Sequence, residues 1–268
     1  MILERSLINY ANTLETKVKE NLPGILELDV DAVHDFRVAL KKTRTVLNFL
    51  NYWTYGRTSK KAISNIYRPI FKKTGKIREL HVHKELVPKL ADLSGLDIQF
   101  LDKKINYQLL RNEPFIIKDV KTFKRKVPGL YKKIISQINN ASKGQIKMDA
   151  PESYQVKLDR RIKREIASGS PDLHKVRRIL KQQVYIFDAL QESELLSFYK
   201  EFRAEWKILE STMGAWHDQV VFHDWLLPGL QWKRLSDEQY KTMMKLISYL
   251  RSTNGRIERE LIKTMKQK

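Results

Sequence analysis

The sequence predicts an all-α fold assembled from a repeated helical unit, and three observations lead there. Apolar residues recur at helical spacing along nearly the whole chain, without convincing strand-like alternation. Gly, Pro and short polar runs interrupt them at intervals that suit antiparallel helices on short connections. One amphipathic pattern then returns 140 positions later, in register.

The first copy of that pattern runs from Val33 to Leu50. At about 100° per residue it splits into two stripes. Val33, Phe36, Leu40, Leu47 and Leu50 form an apolar one, and His34, Arg37, Lys41 and Arg44 form a basic one about a quarter turn away. The basic row is about 15 Å long at ~1.5 Å per residue, enough for a linear anion to lie along it. In the second copy the apolar stripe is Leu173, Val176, Leu180, Phe187 and Leu190, and the basic positions are His174, Arg177 and Lys181. Even the polar interruption recurs, with Gln183 in the place of Thr43. A single basic stripe is usually a solvated face. Two in register, each opening with His and then Arg three residues on, indicate a duplicated unit.

In chain order, the first helix spans about Ile2 to Glu20, with a Leu3, Leu7, Tyr10, Leu14, Val18 stripe ended by Asn21 and Pro23-Gly24. Asp31 is the expected N-cap of the first basic helix, which places His34 in its first turn, where free N–H groups and the helix dipole favour an anion. This helix runs to about Trp53. A long one follows, about Ser59 to Leu90, kinked at Pro69 and interrupted at Thr74-Gly75. Two helices are expected next, about Gln99 to Arg111 and Phe115 to Asn140, the second bent or split at Pro128-Gly129. The polar stretch from Asn139 to Pro151 separates an N-terminal half (residues 1–143) from a C-terminal half (150–268). The C-terminal half reads as helices over about Glu152–Ala167, a second basic helix capped by Ser170 with Pro171 following and running to Leu190, Ser193–Leu227, and Asp237 to the C-terminus.

Charge dominates the composition: 51 Lys and Arg against 31 Asp and Glu give +20. Residues 1–140 carry 27 basic and 14 acidic residues, a net +13, and the remainder carries +7. Such an excess calls for a polyanion: nucleic acid, an anionic membrane or polyphosphate. No cysteine is present, which removes disulfides and thiolate zinc sites and fits a reducing cytoplasm. The N-terminal residues lack a signal-peptide pattern, and no apolar run is long enough to span a bilayer.

The two basic helices resemble the CHAD family, the conserved histidine α-helical domain. His34, Arg37, Val38, Lys41, Lys42 and Arg44 match its His-x-x-Arg-Val-x-x-basic-basic-x-Arg pattern, and His174, Arg177 and Lys181 match its later His-x-x-Arg-x-x-x-Lys pattern. Tyr185 and Asp188 fall where the family often has Tyr and Glu. The segments after Gly75 and Gly214, each with an acidic residue four positions on (Glu79, Asp218), resemble its Gly-x-x-Arg-Asp and Gly-x-x-x-Asp segments. The chain departs from the pattern at Gln182 and Val184, where basic residues would stand, and at Glu79, which replaces Asp. The resemblance implies two pseudo-symmetric four-helix halves around a basic groove that binds inorganic polyphosphate, and an association with polyphosphate granules. The paired glycines themselves read equally as close helix contacts or as simple loops.

Polyphosphate presents a row of anionic oxygens and no bases, so its reader needs aligned Lys and Arg and little else. Arginine donates in a fork to neighbouring oxygens, whereas lysine acts as a mobile point charge. The candidate polyphosphate-binding set is His34, Arg37, Lys41, Lys42, Arg44, His174, Arg177, Arg178 and Lys181 on the two key helices. Lys118, Lys121, Arg125 and Lys132 join it from the basic run before the boundary, and Arg160 and Arg164 from the helix after it. His34 and His174 read as anion contacts, or else as hydrogen-bonding partners of a neighbouring helix. No catalytic residue, cofactor or membrane partner is expected, and the oligomeric state is open. A sequence-independent nucleic-acid binder is the alternative. A metal-dependent phosphohydrolase using Glu79 and His83, at i, i+4, ranks last: Glu79, His81, His83 and Glu85, like His217, Asp218, His223 and Asp224, match no established ligand motif. The tryptophans Trp53, Trp206, Trp216, Trp225 and Trp232 read as packing residues, with no sheet platform for bases.

Overall fold

In a computed structural model, which describes residues 2–191, 200–232 and 235–267, the chain is all-α. The helices are α1 (Ile2–Leu26), α2 (Val30–Trp53), α3 (Lys60–Ser94), α4 (Phe100–Ser142), α5 (Ala150–Ile166), α6 (Leu173–Leu190), α7 (Lys200–Gly229) and α8 (Asp237–Lys266). Among the described residues there is no strand. The expected start of the seventh helix at Ser193 lies outside them.

Both apolar stripes of the repeat are buried as the periodicity requires. Val33, Phe36, Leu40, Leu47 and Leu50 are each 0 % exposed, and Leu173, Val176, Leu180, Phe187 and Leu190 at most 3 %. The polar interruptions are buried with partners. The Thr43 hydroxyl donates to the Ala39 carbonyl and shares a 2.8 Å hydrogen bond with the Tyr131 hydroxyl. The Gln183 side chain donates to Asp159, and the Gln183 backbone carbonyl accepts from the Gln155 side chain. The Thr43 hydroxyl and the Gln183 side-chain N–H are thereby satisfied, while the Gln183 side-chain oxygen has no hydrogen-bond partner among the described residues.

Within the first four helices, α1 packs on α2 and α4, and α3 packs on the same two. The same order of neighbours returns more loosely in α5–α8: α5 on α6, α6 on α7, α7 on α8, α8 back on α5. This is compatible with two four-helix halves. The repeat helices α2 and α6 sit at the centre, against each other, with α3 touching α7 alongside. The larger core crosses the 139–151 boundary, since Ile179, Phe187, Phe222 and Leu250 join the buried residues of α1–α4. A smaller core gathers Leu173, Val176, Leu180, Met213, Trp216, Leu261 and Met265.

Several expected breaks are absent. α1 continues through Pro23, α3 through Pro69 and Thr74-Gly75, and α4 is one 43-residue helix where two were expected. Pro23, Pro69, Pro114 and Pro128 all face solvent, where water can serve the carbonyls they orphan. The opposite face of α4 keeps Ile116, Val120, Phe123, Val127, Leu130 and Ile134 in one buried stripe across the prolines. Burial of that stripe outweighs the local cost of an interrupted ladder. The caps also move. Asp29, not Asp31, caps α2, accepting from the Ala32 N–H at 2.7 Å, and Asp172, not Ser170, caps α6, accepting from the Lys175 N–H at 2.9 Å. His34 therefore lies in the second turn of α2, beyond the free N–H groups of its first.

Candidate functional site

The apolar stripe of α2 is buried against its neighbours, so the basic stripe a quarter turn away is carried to the seam with α3 and α6. α6 is oriented by the same logic from the other side. A cavity of about 230 Å³ opens there. It is lined by His34, Arg37 and Lys41 of α2, Gly75, Arg78 and Glu79 of α3, Arg177 and Lys181 of α6, and His217 and Asp218 of α7. The two cationic rows thus face one cleft.

Arg37 is fixed from several sides. One guanidinium nitrogen donates to the Phe71 carbonyl at 2.6 Å, and the group lies 4.4 Å from the Phe71 ring centroid. It also lies against the backbone of α3 at Gly75, where a Cβ would stand 3.0 Å from a guanidinium nitrogen. At the equivalent place in the second copy, a Cβ on Gly214 would stand 3.2 Å from a guanidinium nitrogen of Arg177. The paired glycines are therefore neither loops nor simple helix–helix contacts. They are the positions where each key arginine crosses the next helix.

Lys41 is held among cations. Burial first, then Lys181, Arg37, Arg177 and Arg44, push its ammonium down to about 7 from the ordinary 10.5. Arg37 is lowered to about 10, again by burial first and then by Arg78 and Arg44. Such shifts mark positive groups brought together without enough negative charge. Lys181 pairs with Glu210 at 2.9 Å, with Arg177 at 3.9 Å from the same carboxylate, and Arg78 pairs with Glu85 at 3.0 Å. Among the described residues Lys41 has no ion-pair partner. The two carboxyls in the cleft, Glu79 and Asp218, are both raised by burial.

His34 reaches the cleft directly, its imidazole lowered by burial and by Arg78, partly opposed by Asp35. His174 does not line it. Its ring packs 4.9 Å from Trp216 and 4.6 Å from His217, and His217 supplies the imidazole on that side, lowered to about 4 by burial and then by Arg177. His83 also lines the cleft, its buried ring 4.9–5.1 Å from those of Trp225 and Phe222. Among the described residues, no group of three or more acidic or imidazole side chains is arranged to hold a metal ion.

The remaining sequence candidates lie elsewhere. Arg44 lines a larger groove of about 970 Å³ that continues from the cleft through Arg37, Gly75 and Glu79. Lys42 turns away from both, pairing with Asp188 of α6 at 3.3 Å and lying 5.5 Å from the Tyr185 ring. It ties the two repeat helices together. Lys118, Lys121, Arg125 and Lys132 are exposed along α4, Arg160 and Arg164 along α5, and Arg178 on α6. None of them lines the cleft or the groove. Sequence reasoning missed the α3 wall of the groove, Lys60, Lys61, Arg68, Lys72 and Lys76. Its signal was present: Arg68, Lys72 and Lys76 stand at i, i+4 and i+8, one face of a helix.

Residues 12–113 match the family model described as CHAD domain. Over that span the chain is similar to the CHAD family. The matched span takes in the α2 row, Gly75 and Arg78, and ends before α6, so the second row is placed beside the CHAD match by the geometry of the cleft. A solved structure, PptA from Streptomyces chartreusis, is similar over 99 % of both chains at 14 % identity, with a TM-score of 0.60. The fold around the CHAD match thus recurs over the full length described. No curated protein matches the chain. Among the described residues, no helix is long and apolar enough to cross a membrane.

Proposed function

We propose that the chain binds inorganic polyphosphate, without catalysis, in the cleft between α2 and α6 and along the groove that continues from it, with the two halves acting as one domain. The observation that carries this reading is the convergence of Arg37, Lys41, Arg177 and Lys181 on one cavity, with Lys41 driven down to about 7 by burial and its cationic neighbours. A charge cluster of that kind is preorganised for an anion, because each phosphate that enters relieves repulsion already present in the empty protein. A linear polyanion suits it better than a single phosphate, since the cationic lining extends from the cleft along α3. The CHAD match supports the same ligand, and it supports a place at polyphosphate granules in the cytoplasm.

The deciding experiment titrates polyphosphate of defined length against duplex DNA of equal charge at moderate salt. Polyphosphate is expected to bind the more tightly, and Arg37→Ala combined with Arg177→Ala to weaken it at least tenfold with the fold intact by circular dichroism. Equal binding of the two polyanions removes the specificity claimed and favours the nucleic-acid reading. Phosphate release that stops with a chelator and with Glu79→Gln would overturn the non-catalytic part.

A further inference from the structure

A second basic pocket, of about 540 Å³, lies where the C-terminal end of α2 meets α5 and the α4–α5 connection. Its charged lining is wholly positive: Lys60, Lys147, Lys157 and Arg161. Unlike the cleft, it has an aromatic wall. Lys147 Nζ lies 3.8 Å from the Tyr52 ring centroid and 5.0 Å from that of Tyr55, and Lys157 Nζ lies 4.7 Å from Tyr52. Tyr52 is anchored by donating from its hydroxyl to Ser153 Oγ at 3.0 Å, and the backbone N–H of Lys147 donates to the Trp53 carbonyl at 3.0 Å.

Tyr55 is the unusual member. It is 57 % exposed, and its φ of 53° belongs to the left-handed region. The hydrogen bonds from Gly56 N–H to the Asn51 carbonyl and from Tyr55 N–H to the Tyr52 carbonyl close α2 in a Schellman turn, with Tyr55 where glycine is normally found. A tyrosine there costs backbone energy that a glycine would not, and burial does not compensate a ring left mostly in solvent. The ring instead forms a flat, exposed face beside four cations, with the amides of Asn48, Asn51 and Gln182 in the same lining.

We infer that this pocket is a nucleotide site, which takes a nucleoside triphosphate with its base stacked on Tyr55 and its phosphates on Lys60, Lys147, Lys157 and Arg161. The volume falls within the usual range of small-ligand pockets, roughly 300–1,000 Å³. Base–aromatic stacking tolerates any base, so the amides carry whatever base preference the site has. The inference does not depend on polyphosphate binding in the cleft.

The test uses the full chain with Arg37→Ala and Arg177→Ala, which weakens the cleft, and two probes of similar charge without metal, ATP and inorganic tripolyphosphate, followed by calorimetry. ATP is expected to bind more tightly than tripolyphosphate. Tyr55→Gly should lower ATP affinity about tenfold, the size expected for one lost stacking contact, and leave tripolyphosphate unchanged. Because glycine suits the turn, this variant should melt at or above the temperature of the parent. Lys147→Ala should weaken both probes. Equal affinity for the two probes, or ATP binding that survives Tyr55→Gly, would overturn the inference. So would ATP binding abolished by Arg37→Ala with Arg177→Ala, since it would place the nucleotide in the cleft. Polyphosphate binding that fails while ATP binding behaves as described would sink the cleft reading and leave this one standing.

Discussion

Lys41 is where sequence, burial and ligand chemistry meet in one atom. Its pKa of about 7 in the folded chain, against an ordinary 10.5, has two consequences of known sign. Between pH 7 and 10.5 the unfolded chain holds a proton that the folded chain has released, so stability contributed by this group rises with pH across that window. Below pH 7 both states are charged and the full cost of the buried ammonium is present. A bound polyanion reverses the shift, because an opposite charge favours the ammonium. Polyphosphate binding above pH 7 should therefore take up a proton, and affinity should fall from pH 7 to pH 9. Calorimetry in two buffers of different ionisation heat measures that uptake directly. In Lys41→Arg, whose charge does not titrate in this range, the uptake should vanish while binding persists. His34 and His217, both lowered, add their own uptake only at more acidic pH.

At the scale of the helix, the paired glycines turn a sequence coincidence into a mechanical part. Gly75→Ala and Gly214→Ala each put a methyl about 3 Å from a guanidinium nitrogen, at 3.0 and 3.2 Å respectively. The guanidinium is the end of a flexible side chain, so it should move rather than break the helix. Alanine also favours a helix interior over glycine by about 1 kcal/mol. Both variants should therefore fold with unchanged or raised melting temperature and bind polyphosphate several-fold more weakly. Gly75→Ala should do the greater damage, since Arg37 sits closer than Arg177. A loss of binding accompanied by a lower melting temperature would instead mark these glycines as structural. Much of α2 and α6 was legible beforehand, because a quarter-turn offset between apolar and basic stripes is a local property of sequence. The helix ends were not. Asp29 takes the cap expected of Asp31, two residues earlier, where α1 turns back to pack on α2. The unbroken α4 was hidden for a related reason: Pro114 and Pro128 signal breaks locally, while the buried stripe opposite them acts through tertiary contacts with α1 and α3. The contact between Arg37 and Gly75 was likewise beyond reach, because it needs the register of α2 against α3.

At the scale of the molecule, the +20 charge divides into two populations that behave oppositely. Cations on the exposed face of α4, such as Lys121 and Arg125, stand in solvent, where ions screen them beyond about 8–10 Å. They raise the general field of the protein and its encounter rate with any polyanion. The cleft cations repel one another in a part-buried site, so they cost stability until a ligand arrives. Substitution separates the two. Lys121→Glu with Arg125→Glu should lower polyphosphate affinity only about threefold, mainly through the association rate, and the loss should fade as salt rises. Lys41→Met should do the reverse: raise the melting temperature of the empty protein by removing a repelled charge, and lower affinity about tenfold or more through faster dissociation at any salt. Thermal melts with and without polyphosphate, paired with binding kinetics at two ionic strengths, read both effects together. If the α4 pair proved the more damaging at high salt, the ligand would lie on the outer face of the first four helices, and the cavity shared by α2 and α6 would be a by-product of joining two basic halves.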